Sequence, residues 1–441
     1  MKTRYINWFF VAALAMMGCL MTACEDQPDK YEIADGVPTL KYVRSPLPEE
    51  ADSLLVGAYL GNTVCLVGDN LRSIYELYFN DQKATLNTSY MTDHTILVDI
   101  PKNIPEEVTN KIYMVTKSGA KVDFDFNVMV PAPVVSSMSC EYAPVGSEAV
   151  LYGDYFVDDP NVPLTISMPG DITVEGEQIT SITKTAVKFI VPEGAVQGNI
   201  RVKSIYGTGQ SVFQYKDTRN ILFDWDGKYE GALAAENSWR NGDNKKEGQI
   251  LTSIPPIDDK YMVLGPASLT GDQWNNISEN YFMMYWPDRN ATEGCVPLYN
   301  LPQFKEMLEN YEIKELALKF EVYIPTSNPW MAVGLQIMFT SLDEVSMQNQ
   351  HNDYIYGEGK EPRGIWIPWE ETGSYDTGDQ WVTVTLKMSE FNKQLSGVAS
   401  ETEFTKERLA GLSIFLRGGG VDGKECEPII CMDNIRVVPV E

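Results

Sequence analysis

The sequence predicts an all-β protein made of several sandwiches in a row. Short runs of alternating apolar and polar residues, separated by Gly, Pro, Asn and Asp, cover most of its 441 residues. Only 301–313 and 405–411 have a helical pattern. A chain of this length exceeds one compact core, so we expect two to four domains.

The N-terminus predicts export and lipidation. Lys2 and Arg4 precede the apolar run "WFFVAALAMMGCLM", which has the length of a signal-peptide core and is too short to span a membrane. Residues 1–23 are therefore a signal peptide, and "MTAC" resembles a lipobox whose lipidated residue is Cys24. Cys19 is the alternative, but cleavage there leaves "LMTA" as an apolar start.

The acidic linker 24–36 extends this prediction to a location. Its "EDQPDK" is similar to the export signal of Bacteroidetes-type lipoproteins that face the cell exterior. We therefore expect a lipid anchor in the outer membrane, with the chain outside the cell. Two or three acyl chains anchor a protein stably where one does not.

Charge and cysteine content exclude several functions. The chain has 62 acidic and 35 basic residues, a formal charge of −27, which argues against a nucleic-acid partner. Beyond Cys24, five cysteines and two distant histidines show no disulfide or zinc pattern. We predict no metal and no cofactor.

An internal repeat divides the first half. "VCLVGDNL" at 64–71 matches "AVLYGDYF" at 149–156, 96–101 matches 187–192, and 111–120 matches 199–208. The offset of 85 to 91 residues corresponds to one small sandwich per repeat. The repeats resemble immunoglobulin-like IPT/TIG modules, placed at 37–129 and 130–216 and joined through "VMVPAPVV". They predict a spacer, and a glycan or partner site on one of them is the alternative.

The third domain, 217–441, contains the aromatic residues expected of a binding site. Eight of the nine tryptophans lie between Trp225 and Trp381. Indole rings pack on the C–H face of a pyranose while neighbouring polar groups bind its hydroxyls, so this clustering favours a carbohydrate ligand.

Strand alternation selects candidate residues on one face. In "NPWMAVGLQIMFT" every second residue from Met331 to Phe339 is apolar, and these residues define a core face. Trp330 and Gln336 lie on the opposite face. The same treatment of 316–325 and 411–418 places Tyr323 and Arg417 outside. If the three strands share a sheet, these four side chains form one glycan-binding surface.

The segment "GIWIPWE" adds further candidates. Alternation puts Trp369 in the core and Trp366 outside, with Tyr354 and Tyr356 flanking it from the preceding loop. Trp286 is left open between core and rim. Three other tryptophans are assigned by their surroundings: Trp225 and Trp381 as structural, and Trp274, in "GDQWNNIS", as capping the sandwich or contacting sugar.

The complete pattern resembles a known family. The lipobox, the two repeats, "ILFDWDG", "IPWEETGSYDTGDQWVTVTL" and "MDNIRVV" are similar to surface glycan-binding lipoproteins of Bacteroidetes polysaccharide-utilisation systems. The resemblance implies a C-terminal carbohydrate-binding-module-like β-sandwich of jelly-roll type, and a non-catalytic role beside an outer-membrane transporter and its lipoprotein partner. It also leaves structural calcium open, with Asp224, Asp226 and Asp433 as possible ligands.

The acidic charge favours a neutral ligand, and flat indole rings suit a β-linked plant-type polysaccharide. Two other functions stay open at this stage. A β-sandwich glycoside hydrolase needs two carboxylates at a fixed separation, and no strand carries such a pair on one face. A protein-docking adhesin would use the same anchor and modules.

Overall fold

The computed structural model describes residues 33–240, 254–274, 278–285, 287, 296–342 and 359–440. Within these ranges it contains 28 β-strands and one α-helix, so the predicted all-β class is confirmed. The chain divides into two compact units, Met1–Pro131 and Ala132–Glu441. No helix in the described ranges has the length and apolar character needed to cross a membrane.

The first unit contains one immunoglobulin-like module. Its strands are β1 (Thr39–Arg44), β2 (Gly57–Tyr59), β3 (Thr63–Asp69), β4 (Ile74–Phe79), β5 (Gln82–Lys83), β6 (Thr95–Asp99), β7 (Lys111–Thr116), β8 (Lys121–Asp125) and β9 (Asn127–Met129). They form sheets in the orders β1-β3-β6, β5-β4-β7-β8 and β2-β9. Leu66, Leu77 and Met114 are fully buried in the core between them.

The second module repeats this plan. Its strands are β10 (Val134–Met138), β11 (Glu148–Asp154), β12 (Thr165–Met168), β13 (Ile172–Val174), β14 (Ile179–Ile182), β15 (Ala186–Ile190), β16 (Gly198–Ser204) and β17 (Gly207–Tyr215). They are ordered β13-β12-β16-β17-β10-β11-β15-β14.

A glycine at the same position of each repeat explains a bulge that both modules share. The first strand of each module has a bulge opposite Gly68 or Gly153. A Cβ at these positions would lie 2.0 Å from the Thr39 carbonyl oxygen or 1.8 Å from that of Val134, so only glycine fits the close approach.

The third domain is a sandwich of two sheets. Its strands are β18 (Ile221–Trp225), β19 (Leu233–Ala234), β20 (Trp239–Arg240), β21 (Met262–Leu264), β22 (Phe282–Tyr285), β23 (Leu316–Tyr323), β24 (Leu335–Thr340), β25 (Gly364–Trp366), β26 (Val382–Lys387), β27 (Gly411–Leu416) and β28 (Ile430–Pro439). One sheet runs β19-β18-β28-β23-β26, with β21 also paired to β28. The other runs β20-β22-β27-β24-β25.

Helix α1 (Pro302–Asn310) lies within the predicted 301–313 segment. Proline at its first position suits the fixed φ there, and buried Phe304 and Leu308 attach it to the sandwich. The second helical pattern, 405–411, forms only a short 3₁₀ turn at Lys406–Arg408.

The second module and the third domain share a core and a buried ion network. Tyr261, Tyr323 and Trp381 of the third domain belong to the hydrophobic cluster that fills the second module. Arg436 donates to Glu141 Oε2 of the second module at 2.7 Å and to Glu321 Oε2 at 2.8 Å. These residues explain why the two form one unit.

Two sheet assignments from the sequence need correction. The strand predicted from Trp330 begins only at Leu335, because Val333 has a φ of 56° that interrupts extended backbone. β23 belongs to the other sheet, so Tyr323 shares no sheet with Gln336 and Arg417. β24 and β27 are neighbours in one sheet, with Gln336 opposite Phe415.

Candidate functional site

The face predicted to be open is buried. Gln336 and Met338 are 0% exposed, Phe415 is 3% exposed and Arg417 is 8% exposed. Gln336 Nε2 donates to the Arg417 carbonyl at 2.7 Å, which commits that amide hydrogen to the backbone. Gln336 and Arg417 were predicted glycan contacts, and their enclosure means that the prediction is wrong for both.

Trp330 and Tyr323 are also core residues. Trp330 is 0% exposed and its Nε1 donates to the Ala332 carbonyl at 2.6 Å. Tyr323 is 4% exposed, and its ring lies 5.7 Å from that of Trp381. Neither ring offers a free face for sugar, so both predictions are wrong.

The predicted alternation through "GIWIPWE" is right for one tryptophan. Trp369 is 3% exposed and donates from Nε1 to the Val333 carbonyl at 2.9 Å, which confirms its place in the core. Trp366 pairs with Leu335, whose side chain faces the core, and its ring lies among those of Phe320, Trp330 and Tyr375.

The prediction for Trp366 is wrong because it placed this side chain on the face opposite to Trp369. The strand ends at Trp366, so side-chain alternation does not connect the two residues. Trp366 is half-buried. Tyr354, Tyr356 and Trp286 lie outside the described residues.

An exposed indole is found at one end of the sandwich. Trp274 is 44% exposed, the most exposed tryptophan in the described part of the chain. Its backbone N–H donates to Asp272 Oδ1 at 2.8 Å, which holds the turn that presents it. An indole with this exposure is typical of a contact surface.

Gln273 attaches the Trp274 turn to the glycine run 418–420. Its carbonyl accepts from the Gly418 N–H at 3.1 Å, and its Oε1 accepts from the Gly420 N–H at 2.8 Å. Its Nε2 donates to Asp422 Oδ1 at 3.3 Å. The amide therefore fixes the turn beside an exposed carboxylate.

Glycines let an apolar surface approach from β24 and β25. A Cβ on Gly419, whose φ is +100°, would meet Ile367 Cδ1 at 2.9 Å, and one on Gly334 would meet Ile365 Cγ2 at 2.8 Å. Ile365 and Ile367 are half-buried. We use the name Trp274 rim for the surface formed by Gln273, Trp274, Ile365, Ile367, the 418–420 glycines and Asp422.

The carboxylates with raised pKa lie away from this rim. Burial raises the pKa of Glu321 on β23 and, well above its usual range, that of Asp433 on β28; both are 0% exposed. Burial also raises the pKa of Asp224 and Asp226 at the end of β18. Asp224 accepts from the N–H groups of Gly227 and Tyr229, both at 2.8 Å. Among the residues described, no three His, Cys, Asp or Glu side chains are grouped to hold a metal ion.

The fold and the exposed indole define a class of protein: a multidomain β-sandwich protein with an aromatic side chain available for contact. The family model described as "Surface glycan-binding protein B xyloglucan binding domain" matches residues 215–439. The chain belongs to the surface glycan-binding protein B family and binds polysaccharide at the cell surface.

A solved structure supports this assignment over nearly the whole chain. The crystal structure of surface glycan-binding protein PbSGBP-B from Prevotella bryantii is 36% identical, with a TM-score of 0.77, and the match covers 92% of this chain and 99% of that one. The IPT/TIG-type modules and the C-terminal binding domain predicted from sequence agree with this family.

Two further relatives are more distant. An IPT/TIG domain-containing protein of Bacteroides ovatus is 25% identical over 205 residues, 42% of this chain and only 40% of that protein. The SGBP-B from a complex xyloglucan utilization locus in Bacteroides uniformis is 16% identical, with a TM-score of 0.40 and coverage of 92% of this chain and 100% of that one.

The sequence leaves both capping of the sandwich and sugar contact open for Trp274, because no strand pattern surrounds it. The usable signal was the polar turn "GDQWNNIS" itself, which offers no apolar partner to bury the indole.

Proposed function

We propose that this protein captures a neutral, β-linked polysaccharide without cleaving it, and that xyloglucan is the first candidate. The exposed indole of Trp274, held beside polar groups at the end of the binding domain, carries this proposal. The family model, whose description names xyloglucan, supports the choice of polymer. The charge of −27 disfavours an acidic polysaccharide.

On the Trp274 rim each group has a chemical role. The indole stacks on the C–H face of one sugar ring, while Ile365 and Ile367 contact its apolar edges. Asp422 and Gln273 accept hydrogen bonds from hydroxyl groups. One stacking contact adds only about 0.5–1.5 kcal/mol beyond burial, so we expect weak binding that becomes effective when many copies hold one polymer.

Two observations support a non-catalytic role. A general acid needs a raised pKa at the site of bond cleavage. The carboxylates of the third domain with raised pKa values, Glu321, Asp433, Asp224 and Asp226, all lie in or at the end of strands of the other sheet of the sandwich. The relatives that establish the family are described as binding proteins.

We extend the proposal to the lipid anchor, the two modules and the partners of the protein. Cys24 carries the lipid anchor in the outer membrane, with the signal peptide 1–23 removed and 24–36 as a linker. Modules 37–129 and 130–216 precede the glycan-binding domain 217–441. The captured polymer then passes to an outer-membrane transporter and its lipoprotein partner of the same system.

The test is native affinity electrophoresis of the soluble chain from Glu25 onward against neutral and acidic polysaccharides. We expect retardation by xyloglucan, at least about tenfold weaker apparent affinity in Trp274→Ala, and partial retention in Trp274→Phe, since a phenyl ring still stacks. Trp366→Phe is the matched control, because that ring packs against the core, and we expect its affinity to be unchanged.

Three outcomes would contradict parts of the proposal. No retardation by any polysaccharide refutes glycan capture, and unchanged binding by Trp274→Ala refutes the rim. Shortened polymer recovered from the wild-type samples refutes the non-catalytic role.

A further inference from the structure

We propose that the first module carries a second saccharide-binding site, centred on Tyr78 and Tyr113 on the outer face of sheet β5-β4-β7-β8. The class of ligand rests on the proposed function above. The location rests on the geometry of the module alone.

A groove of about 510 Å³ lies on this face, and Glu76, Tyr78, Asn80, Asp81, Tyr113 and Lys121 are among its lining residues. Its volume is in the range of small-molecule sites, enough for a few sugar units. Its charged lining residues are three carboxylates, Glu76, Asp81 and Glu107, and one ammonium group, Lys121, so it disfavours an anionic polymer. A neutral saccharide fits this lining best.

The two tyrosines stand side by side. Tyr78 on β4 and Tyr113 on β7 are directly opposite in the antiparallel register, so their side chains emerge on the same face about 5 Å apart. Leu77 and Met114, on the alternate face, are 0% exposed and belong to the core. The pair therefore forms an aromatic strip that the core does not require.

The strip is held in place before any ligand binds. The Tyr78 hydroxyl donates to Glu76 Oε2 at 2.8 Å, and Lys83 Nζ donates to Glu76 Oε1 at 2.6 Å. Lys121 Nζ lies 4.0 Å from the centre of the Tyr113 ring. This exposed, flexible side chain moves aside when a sugar ring stacks on Tyr113.

A buried amide supplies an independent indication of a ligand. Asn80 is 2% exposed, and its Oδ1 accepts from the N–H groups of Thr109 and Asn110 at 3.1 and 2.7 Å. Its Nδ2 has no hydrogen-bond partner among the residues that the structure describes, and Asn80 is one of the residues that line the groove. A buried donor without a partner is costly, and a sugar hydroxyl is an acceptor of the right kind for it.

The sister module shows that the aromatic pair is not demanded by the fold. The repeat aligns Tyr113 with Arg201, and the residue opposite Arg201 in β12 is Ser167. Both are exposed on the equivalent outer face. The same architecture is thus built with Ser and Arg at these positions, so the fold itself does not require the aromatic pair of Tyr78 and Tyr113.

This comparison also supplies the test. In the soluble chain from Glu25 onward, Tyr78→Ser and Tyr113→Arg together copy the pair of the second module and should leave the fold intact. The binding probe is the neutral polysaccharide that retards the wild-type chain. Tyr59→Ala, which removes a 51% exposed tyrosine of the same module outside the groove, is the matched control.

We expect the double variant to weaken apparent affinity two- to tenfold and Tyr59→Ala to leave it unchanged. Trp274→Ala should retain weak retardation, and the triple variant Tyr78→Ser, Tyr113→Arg, Trp274→Ala should lose it. Complete loss in Trp274→Ala alone, a double variant equal to Tyr59→Ala, or retardation that survives in the triple variant each overturns the second site.

Failure of the two proposals can be told apart. Full binding by Trp274→Ala combined with loss in the double variant refutes the rim and supports the second site. Loss confined to Trp274→Ala refutes the second site and supports the rim. Absence of wild-type binding refutes both.

Discussion

The two immunoglobulin-like modules share a sequence repeat but differ in what holds them. The first has a core of its own and forms a separate unit. The second shares its core with the binding domain, and its Glu141 is enclosed with Arg436 and Glu321. Repetition of a module therefore does not imply repetition of its role. The second module packs against the binding domain and stabilises it.

Removing each module in turn gives the largest expected contrast. A chain starting at Ala132 should keep the cooperative unfolding of the binding domain, whereas one starting at Thr218 should lose it. The second truncation exposes Tyr261, Tyr323 and Trp381, each worth about 1.5–3 kcal/mol of burial, and their sum is comparable to a whole domain's stability.

Tryptophan fluorescence during urea unfolding measures this, because the eight tryptophans beyond the signal peptide lie between 225 and 381. An unchanged midpoint in the chain from Thr218 would show that the second module is only a spacer.

Arg436→Met tests the ion network itself. It leaves Glu141 and Glu321, 2% and 0% exposed, as buried carboxylates without their common partner, and should cost about 3–5 kcal/mol in the free energy of unfolding. Scanning calorimetry at pH 7 measures the shift. Lys111→Met is the matched control, since Lys111 pairs with Asp123 and Asp125 at the surface of the first module, and it should cause no resolvable change.

A decrease of less than about 1 kcal/mol in the free energy of unfolding of Arg436→Met would show that the network contributes little to stability.

Asp433→Asn should stabilise the second unit. Burial, with Asp258 and Asp226 nearby, raises the pKa of Asp433 in the folded chain. The folded state therefore holds a proton that the unfolded state releases, and stability falls as pH rises above the ordinary aspartate pKa. The amide keeps the acceptor for the Asn434 N–H and removes about 1–3 kcal/mol of penalty, more at pH 8 than at pH 4.

The control is Asp379, whose pKa is shifted in the opposite direction. Hydrogen bonds from the Thr326 N–H and hydroxyl lower the pKa of Asp379, so its contribution is present above the ordinary pKa and lost as pH falls. Asp379→Asn should lower the melting temperature at pH 7 and have no effect at pH 2. Equal effects of both variants at all pH values would contradict these assignments.

Thr383→Val should produce the smallest effect. The Thr383 hydroxyl accepts from the Glu141 N–H at 2.7 Å and donates to Glu321 Oε1 at 2.9 Å, so it joins the two domains directly. Its loss should cost about 1 kcal/mol in chemical denaturation. Thr385→Val on the exposed face of the same strand is the control and should be neutral.

Much of the architecture could be predicted because it depends on local patterns. Gly68 and Gly153 mark the same bulge in both modules, and the repeat follows from matching strand sequences. Pro302 and the apolar spacing of Phe304 and Leu308 predict α1. Trp369 lies in the core as predicted, although the strand ends at Trp366 and the alternation behind that prediction does not extend to Trp369.

The site could not be predicted in the same way. Alternation separates two faces of a strand but does not say whether the second face is covered, so Gln336 and Trp330 were placed at the surface although both are 0% exposed. A positive φ at Val333 and the end of β25 at Trp366 broke the parity on which the assignments depended.

By itself, the sequence determined the all-β class, the repeat and the carbohydrate-binding family, because strand periodicity, turn residues and aromatic content are properties of neighbouring residues. Only the tertiary structure decided which tryptophan side chain is exposed to solvent. The burial of a side chain depends on residues far away in the chain, as with Trp274, whose turn is fixed by Gly418 and Gly420 some 145 positions later. The same holds for Glu141 and Arg436, which are 295 residues apart and meet in one buried ion pair.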